Sequence, residues 1–261
     1  MTTESTAEIN EARDWQGNPV QCESCPHREL LAESKCRLRV ACSEDRYARR
    51  IDRFFEWNPE RANAALGHPY FEVRAVAAKY ADPVYLPALL SDPDETVRWS
   101  AALRLPQRYL LRLIRDPHRE VRIRVAARLD AADLILMMKD EDYYVRQIVA
   151  RRIPGRLLRL MIRDRDTEVR RTVAGRIDPA LIAPLTRDAD AAVRLRAVER
   201  LMPSRLIEFD CDPDWRVRYE VASRMRIDML GAMLHDSDPL VREAAQTRLD
   251  SAKAGREASA K

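Results

Sequence analysis

Apolar and polar positions along most of this chain follow two nested periods. From Val73, a Val-Arg dipeptide returns every 24 residues, at Val97, Val121, Val145, Val169, Val193, Val217 and Val241, without an insertion. Within each unit three sets of positions fall on one stripe of a 3.6-residue wheel: the valine, the small or branched pair four and five residues later (Ala101-Ala102, Val125-Ala126, Val149-Ala150), and a Leu or Ile at the eighth. The spacing predicts one α-helix of roughly three turns per unit. Its stripe faces a core, and its alanines let successive helices approach closely.

Start and stop signals agree with that helix. Asp92-Pro93-Asp94-Glu95 reads as an N-cap Asp, a Pro at the first helical position and acids in the first turn. The Asp recurs at 116, 140, 164, 188, 212 and 236, with His68 breaking the column. Prolines at 83, 106, 154, 179 and 203 end the helices. The rest of each unit is short and apolar, as in Tyr109-Leu-Leu-Arg-Leu-Ile and Leu134-Ile-Leu-Met-Met. A strand would fit its length, but Pro87 and Pro184 fall inside it and Met and Leu outnumber β-branched residues. A short helix of the tight 3₁₀ type is expected there.

A fixed period without insertions means that each unit buries its apolar face only against its neighbours. The expected fold class is therefore all-α: a solenoid superhelix of ~24-residue repeats alternating an α-helix with a short 3₁₀-like helix, plus a small Cys-rich amino-terminal metal-cluster subdomain. The expected organisation is a polar leader (1–20), a Cys-rich cap (21–66), an eight-repeat solenoid (67–250) and a disordered tail (251–261). A solenoid's first repeat needs covering, and Ile51, Phe54, Phe55, Trp57 and Leu66 are placed to do it.

Composition narrows this picture. With 46% apolar but only 6% aromatic residues, the core must be built of Leu, Val, Ile, Ala and Met. No stretch reaches the ~20 apolar residues of a membrane span and no signal-type leader is visible, so a soluble, cytoplasmic monomer with no membrane partner is expected. The net charge of +4 hides a surface in which 34% of residues are charged, too balanced for a dedicated nucleic-acid binder.

Four of the five cysteines fall in one segment, Cys22-x2-Cys25-x10-Cys36-x5-Cys42. In a reducing compartment such clustering points to metal rather than disulfides. Four thiolates suit either an iron–sulfur cubane or tetrahedral zinc, and the five-residue second gap weakens the zinc assignment. His27 reads as a surface histidine, with replacement of a ligand as the other option. Lys35, Arg37, Arg39, Arg46, Arg49, Arg50 and Arg53 surround the segment against Glu44, Asp45 and Asp52, which suits solvated helix faces or an acidic redox partner. Cys211 stands alone and reads as a small apolar side chain in a repeat slot.

The D-P-D-x-x-V-R-x-x-V-A-x-R-L pattern, together with four cysteines just before the array, resembles the leucine-rich repeat variant family over residues 22–250. The resemblance implies alternating α and 3₁₀ helices in a right-handed superhelix. It also implies a [4Fe–4S] cluster on Cys22, Cys25, Cys36 and Cys42, and no biochemical activity.

Two arginine columns need partners. The Arg after each Val (Arg74, Arg98, Arg122, Arg146, Arg170, Arg194, Arg218, Arg242) lies within the apolar stripe, where the Asp six residues earlier can meet it in a buried ladder. A second column, seven residues after each Val (Arg104, Arg128, Arg152, Arg176, Arg200, Arg224, Arg248, with Tyr80 in its place in the first repeat), lies at the stripe's edge. It either covers apolar surface with its stems or lines a groove suited to phosphates or acidic proteins. Trp99, Tyr143, Tyr144, Trp215 and Tyr219 are either contact anchors or rings packed on the next turn.

His27, His68, His118 and His235 are dispersed, and the chain lacks a phosphate-cradling loop or a nucleophile motif, so an enzyme is not expected. The leading expectation is an iron–sulfur-containing scaffold that binds a protein partner and responds to redox state or oxygen. A nucleic-acid-binding solenoid and an electron carrier that docks through its repeats are the competing readings.

Overall fold

In the computed structural model, residues 11–259 are described, with side chains through Gly255. No strand forms among them, and the extended pairing is limited to isolated bridges at Arg13–Pro19 and Arg37–Ala41. The chain divides into two compact units, one running to Asp130 and one starting at Ala131.

In the first unit, a short helix, Arg28–Ala32, and a longer one, Ala48–Trp57, build the cap. Ile51, Phe54 and Phe55 of the longer helix are buried, and this helix packs on Phe71–Tyr80, the first repeat helix. Trp57, expected to cover the repeat, is exposed. The helices Glu95–Ala102 and Arg119–Arg128 follow at the repeat period. In the second unit, Tyr143–Arg152, Thr167–Ala174, Ala191–Val198, Trp215–Arg224 and Pro239–Ser259 continue the series.

The predicted stripe is the core. Val73, Val97, Val121, Val145, Val169, Val193, Val217 and Val241 are all buried, as are pairs such as Ala101-Ala102 and Val149-Ala150. Between the α-helices run 3₁₀ segments, among them Leu86–Ser91, Asp133–Met137, Gly155–Met161, Pro203–Phe209 and Ile227–His235. Their buried residues come three apart: Leu86 with Leu89, Leu134 with Met137, Leu158 with Met161, Leu206 with Phe209, Leu230 with Met233. With 3.0 residues per turn, side chains so spaced eclipse on one edge, so a single row of contacts suffices to bury the segment.

Four sequence expectations need correction. The N-cap is not the Asp92 column but the residue two further on: the carboxylates of Asp94, Asp142, Asp166, Asp190 and Asp214 accept backbone N–H bonds from the first turn of their helices. The earlier Asp instead accepts from the backbone of the N-cap residue, as in Asp94 N–H to Asp92 Oδ1 at 2.9 Å. The tail is not disordered through its described length, because the last helix continues to Ser259. Ala, Lys, Arg and Glu favour helix, and Gln246–Asp250 and Ser251–Thr247 contacts bridge its turns.

The leader is not separate from the cap over residues 11–20, since Arg46 N–H donates to the Arg13 carbonyl, Arg50 donates to the Glu11 carbonyl and Trp15 stacks on Tyr70. Residues 1–10 lie outside the described residues. Finally, Cys211 is exposed rather than packed in an apolar slot.

Both arginine columns are structural, with partners set by stacking rather than by their own helix. Arg98 lays its Nε and Nη2 on the two carboxylate oxygens of Asp116, at 2.7 and 2.9 Å, in the repeat ahead. Its Nη1 donates backwards to the carbonyls of Asp92 and Pro93. The same fork joins Arg74 to Asp92 in the first unit, and Arg146 to Asp164, Arg170 to Asp188, Arg194 to Asp212 and Arg218 to Asp236 in the second. The ladder is thus real, but the carboxylate comes from 18 residues later, while the Asp six residues earlier contributes only its carbonyl.

The second column reaches back instead. Arg104 bonds the carbonyls of Ala78 and Ala81, Arg128 those of Ala102 and Leu105, Arg176 those of Ala150 and Ile153, and Arg248 those of Ala222 and Met225. These acceptors lie at the end of the preceding repeat helix, whose last carbonyls have no intrahelical donor.

Candidate metal centre

Cys22, Cys25, Cys36 and Cys42 line one small cavity of about 20 Å³, walled by Val20, Leu31, Leu38, Ala41 and Phe54. Local turns bring them there. Cys22 and Cys25 flank a turn in which Cys25 N–H donates to the Cys22 carbonyl, and Arg28–Ala32 follows it. The Cys36 segment is held by Asn58, whose buried amide donates to the carbonyls of Lys35 and Phe54 at 2.8 and 2.9 Å. Arg37 and Ala41 exchange backbone bonds across a tight turn, and Cys42 N–H donates to the Arg50 carbonyl. All four thiols are free.

Electrostatics in the cavity follow from burial. The Cys42 thiol, the most buried, is pushed up to about 12, and burial also raises Cys25 and Cys36. Such thiols stay protonated until a strongly positive group displaces the proton. His27 shares the cavity, its ring 5.1 Å from Phe54, and burial lowers its pKa. Its Nδ1 is buried without a hydrogen-bond partner. The surface reading of His27 therefore fails; its position directly after Cys25-Pro26 was the available signal.

A polar chain runs from this site to the array. Glu44, two residues past Cys42, accepts from Ser43 Oγ and lies 3.9 Å from His68 Nε2; its pKa is lowered, with the His68 contact the main cause. His68 Nδ1 in turn accepts the N–H of Tyr70, the N-cap of the first repeat helix. His68 thus does for Tyr70 what the Asp column does elsewhere, and it turns its other nitrogen to the cap. Tyr70 Oη donates to the Arg46 carbonyl, and Lys79 and Tyr80 both bond Asp52.

The donor set fits an iron–sulfur cluster: four free thiols surround a single cavity, and an orphaned imidazole nitrogen lies among them. Among the described residues, no three His, Cys, Asp or Glu side chains converge as closely as one metal ion demands. The expected contact anchors divide, with Tyr143, Tyr144, Trp215 and Tyr219 exposed while Trp99 lies under the Arg124 guanidinium at 5.0 Å. Among the described residues no helix is long and apolar enough to cross a membrane.

Residues 12–64 match the family model described as LRV protein FeS4 cluster. The fold matches a solved structure, "a leucine-rich repeat variant with a novel repetitive protein structural motif", with a TM-score of 0.85 and 39% identity over 88% of this chain and 99% of that one. A curated relative, the "uncharacterized 27.7 kDa protein in nifB 3'region" of Rhodobacter capsulatus, is 48% identical over 87 residues, which is 33% of this chain and 36% of the relative. The match thus spans about a third of that relative's length. From the cysteine-lined cap to the 24-residue α/3₁₀ repeat, the chain belongs to the leucine-rich repeat variant family.

Proposed function

We propose that this protein is a cytoplasmic interaction scaffold whose cap is organised by a [4Fe–4S] cluster held on Cys22, Cys25, Cys36 and Cys42, and that its repeats bind a protein partner. The carrying observation is the convergence of all four thiols on one cavity. When bound, such a cluster supplies one-electron exchange. The chain's own residues do the rest. Phe54, Leu31 and Leu38 limit water around the ligands, Asn58 fixes the Cys36 loop, and the orphaned His27 nitrogen offers a hydrogen bond toward the cavity.

The route Cys42–Glu44–His68–Tyr70 gives the cap a grip on the first repeat, which supports a cluster-responsive scaffold rather than a bare electron carrier. The nucleic-acid reading loses the support of the second arginine column, because those guanidiniums are spent on helix-end carbonyls.

The test is visible absorption with iron, sulfide and zinc analysis on protein purified without oxygen. About four irons and four sulfides per chain, with colour bleached by dithionite, are expected. Stoichiometric zinc in colourless protein would overturn the cluster. With the cluster intact, a partner recovered anaerobically and lost on cluster removal supports the scaffold reading, and recovery indifferent to the cluster refutes its responsiveness.

A further inference from the structure

On the far side of the turn that carries Cys42 lies a second concavity, about 370 Å³, lined by Arg39, Val40, Tyr47, Arg49, Arg50 and Arg53. Four guanidiniums and no carboxylate line it. Arg50 is matched by the fully buried Asp45, at 2.9 Å, and lies over the Tyr47 ring at 4.8 Å. The other three charges have no acidic partner among the described residues. Arg53 reaches only the Val40 carbonyl, at 3.4 Å, and among the described residues the Arg39 and Arg49 side chains make no hydrogen bond or ion pair. Of the two acids in the same helix, Asp52 is occupied by Lys79 and Tyr80, and Glu56 makes no ion pair with these arginines among the described residues.

This arrangement works against the stability of the free protein. Arg49 and Arg53 are like charges four apart on one helix, a destabilising pair. Arg39 has φ of +64°, a left-handed conformation that strains a non-glycine residue. An anion would relieve the repulsion. A phosphate group suits the geometry, because guanidinium forks pair with tetrahedral oxyanions through two N–H bonds. A small ligand suits the volume, which lies in the range of ligand clefts; an acidic protein surface would call for an extended patch rather than a concavity.

We infer that this pocket is a binding site for a small phosphate-bearing anion, with Arg39, Arg49 and Arg53 as its donors. The site goes beyond the proposed function and does not depend on the cluster. It does share a wall with the cysteine cavity: the turn places Leu38 on the cysteine side and Arg39 and Val40 on this one, and the Arg50 carbonyl accepts the Cys42 N–H.

The test is calorimetric titration of the full-length protein with inorganic pyrophosphate at low and moderate salt, with citrate, a poly-glutamate peptide and single-stranded DNA in parallel. Saturable one-to-one pyrophosphate binding that weakens with salt is expected. Arg49→Ser should weaken it about tenfold or more. Arg39→Gly should do the same while keeping or raising stability, because glycine accepts the positive φ without strain. Arg112→Ser, which removes an exposed arginine outside the pocket, should leave binding unchanged. The inference is overturned by absent binding, by equal affinity in the Arg39→Gly/Arg49→Ser double variant, by an equal loss in Arg112→Ser, or by tighter binding of citrate, the peptide or the DNA.

Discussion

Replacing Arg146 by leucine tests the ladder where it is most enclosed. The side chains of Arg146 and Asp164 are 4% and 8% exposed, and their two bonds measure 2.8 and 2.9 Å. The substitution leaves the Asp164 carboxylate enclosed with only the Asp166 N–H, and it strips a donor from the carbonyls of Asp140 and Glu141. Breaking a buried pair from one side costs about 3–5 kcal/mol, and leucine recovers little because the vacated contacts are polar. At about 1.4 kcal/mol per tenfold, local opening should become roughly a hundred to several thousand times more frequent.

Repeat arrays need not unfold in one step, so the assay pairs urea unfolding with amide exchange in Tyr143–Arg152 and Thr167–Ala174. Asp164→Asn keeps the acceptor for Asp166 and removes the charge. The double variant should therefore cost less than the sum of the singles by more than 1 kcal/mol. Arg242 is the internal control, since it bonds the carbonyls of Asp236 and Ser237 but no carboxylate among the described residues, and Arg242→Leu should cost only about 1 kcal/mol. A cost for Arg146→Leu within about 0.5 kcal/mol of zero, or a coupling of zero with Asp164→Asn, would refute the ladder.

Three further expectations follow from the same contacts. Removing the metal group should speed amide exchange in Phe71–Tyr80, through the Glu44–His68–Tyr70 route, and leave Trp215–Arg224 unchanged; unaltered exchange at both would sever cap from array. Arg176→Leu should cost about 1–3 kcal/mol by stripping the donor from the Ala150 and Ile153 carbonyls, measurable by urea unfolding, and a neutral result would return this column to a mere apolar cover. Asp236 is lowered chiefly by Arg218; for Asp188, burial pushes up but the Arg170 bonds outweigh it. Depressed carboxylates stabilise fully above the unfolded value and lose that contribution as pH falls through the folded one, so stability should drop below about pH 4, and less steeply in Asp188→Asn.

The parts of this structure that could be read from sequence were those written in local periodicity. The valine stripe and the helix count came from spacing alone. The 3₁₀ segments carried a clearer signal than prolines and composition, since Leu134 and Met137, or Leu158 and Met161, already stand three apart. What spacing could not decide was direction. With a 24-residue period, an Asp six residues behind an Arg and one 18 ahead occupy the same phase, and only stacking tells them apart. The exposure of Cys211 is consistent with its own column, whose other members include Ser91, Arg115, Lys139, Arg163 and His235.

Of the metal centre, the four cysteines were legible and their surroundings were not. Asn58 and Glu44 act through contacts with segments distant in sequence, Asn58 with Lys35 and Glu44 with His68, and such contacts leave no period. Residues 11–20 join the cap largely through backbone bonds, which composition does not encode.

The forked arginine gives the array a reading frame. Each of the six forked guanidiniums takes a carbonyl from its own repeat and a carboxylate from the next, so repeats joined in phase make the same junction. Gain or loss of whole 24-residue units leaves every junction complete, whereas an insertion of one or two residues strands a buried charge on each side of it. Copy number is therefore free to drift while phase is held, and the length of such proteins can change in whole steps only.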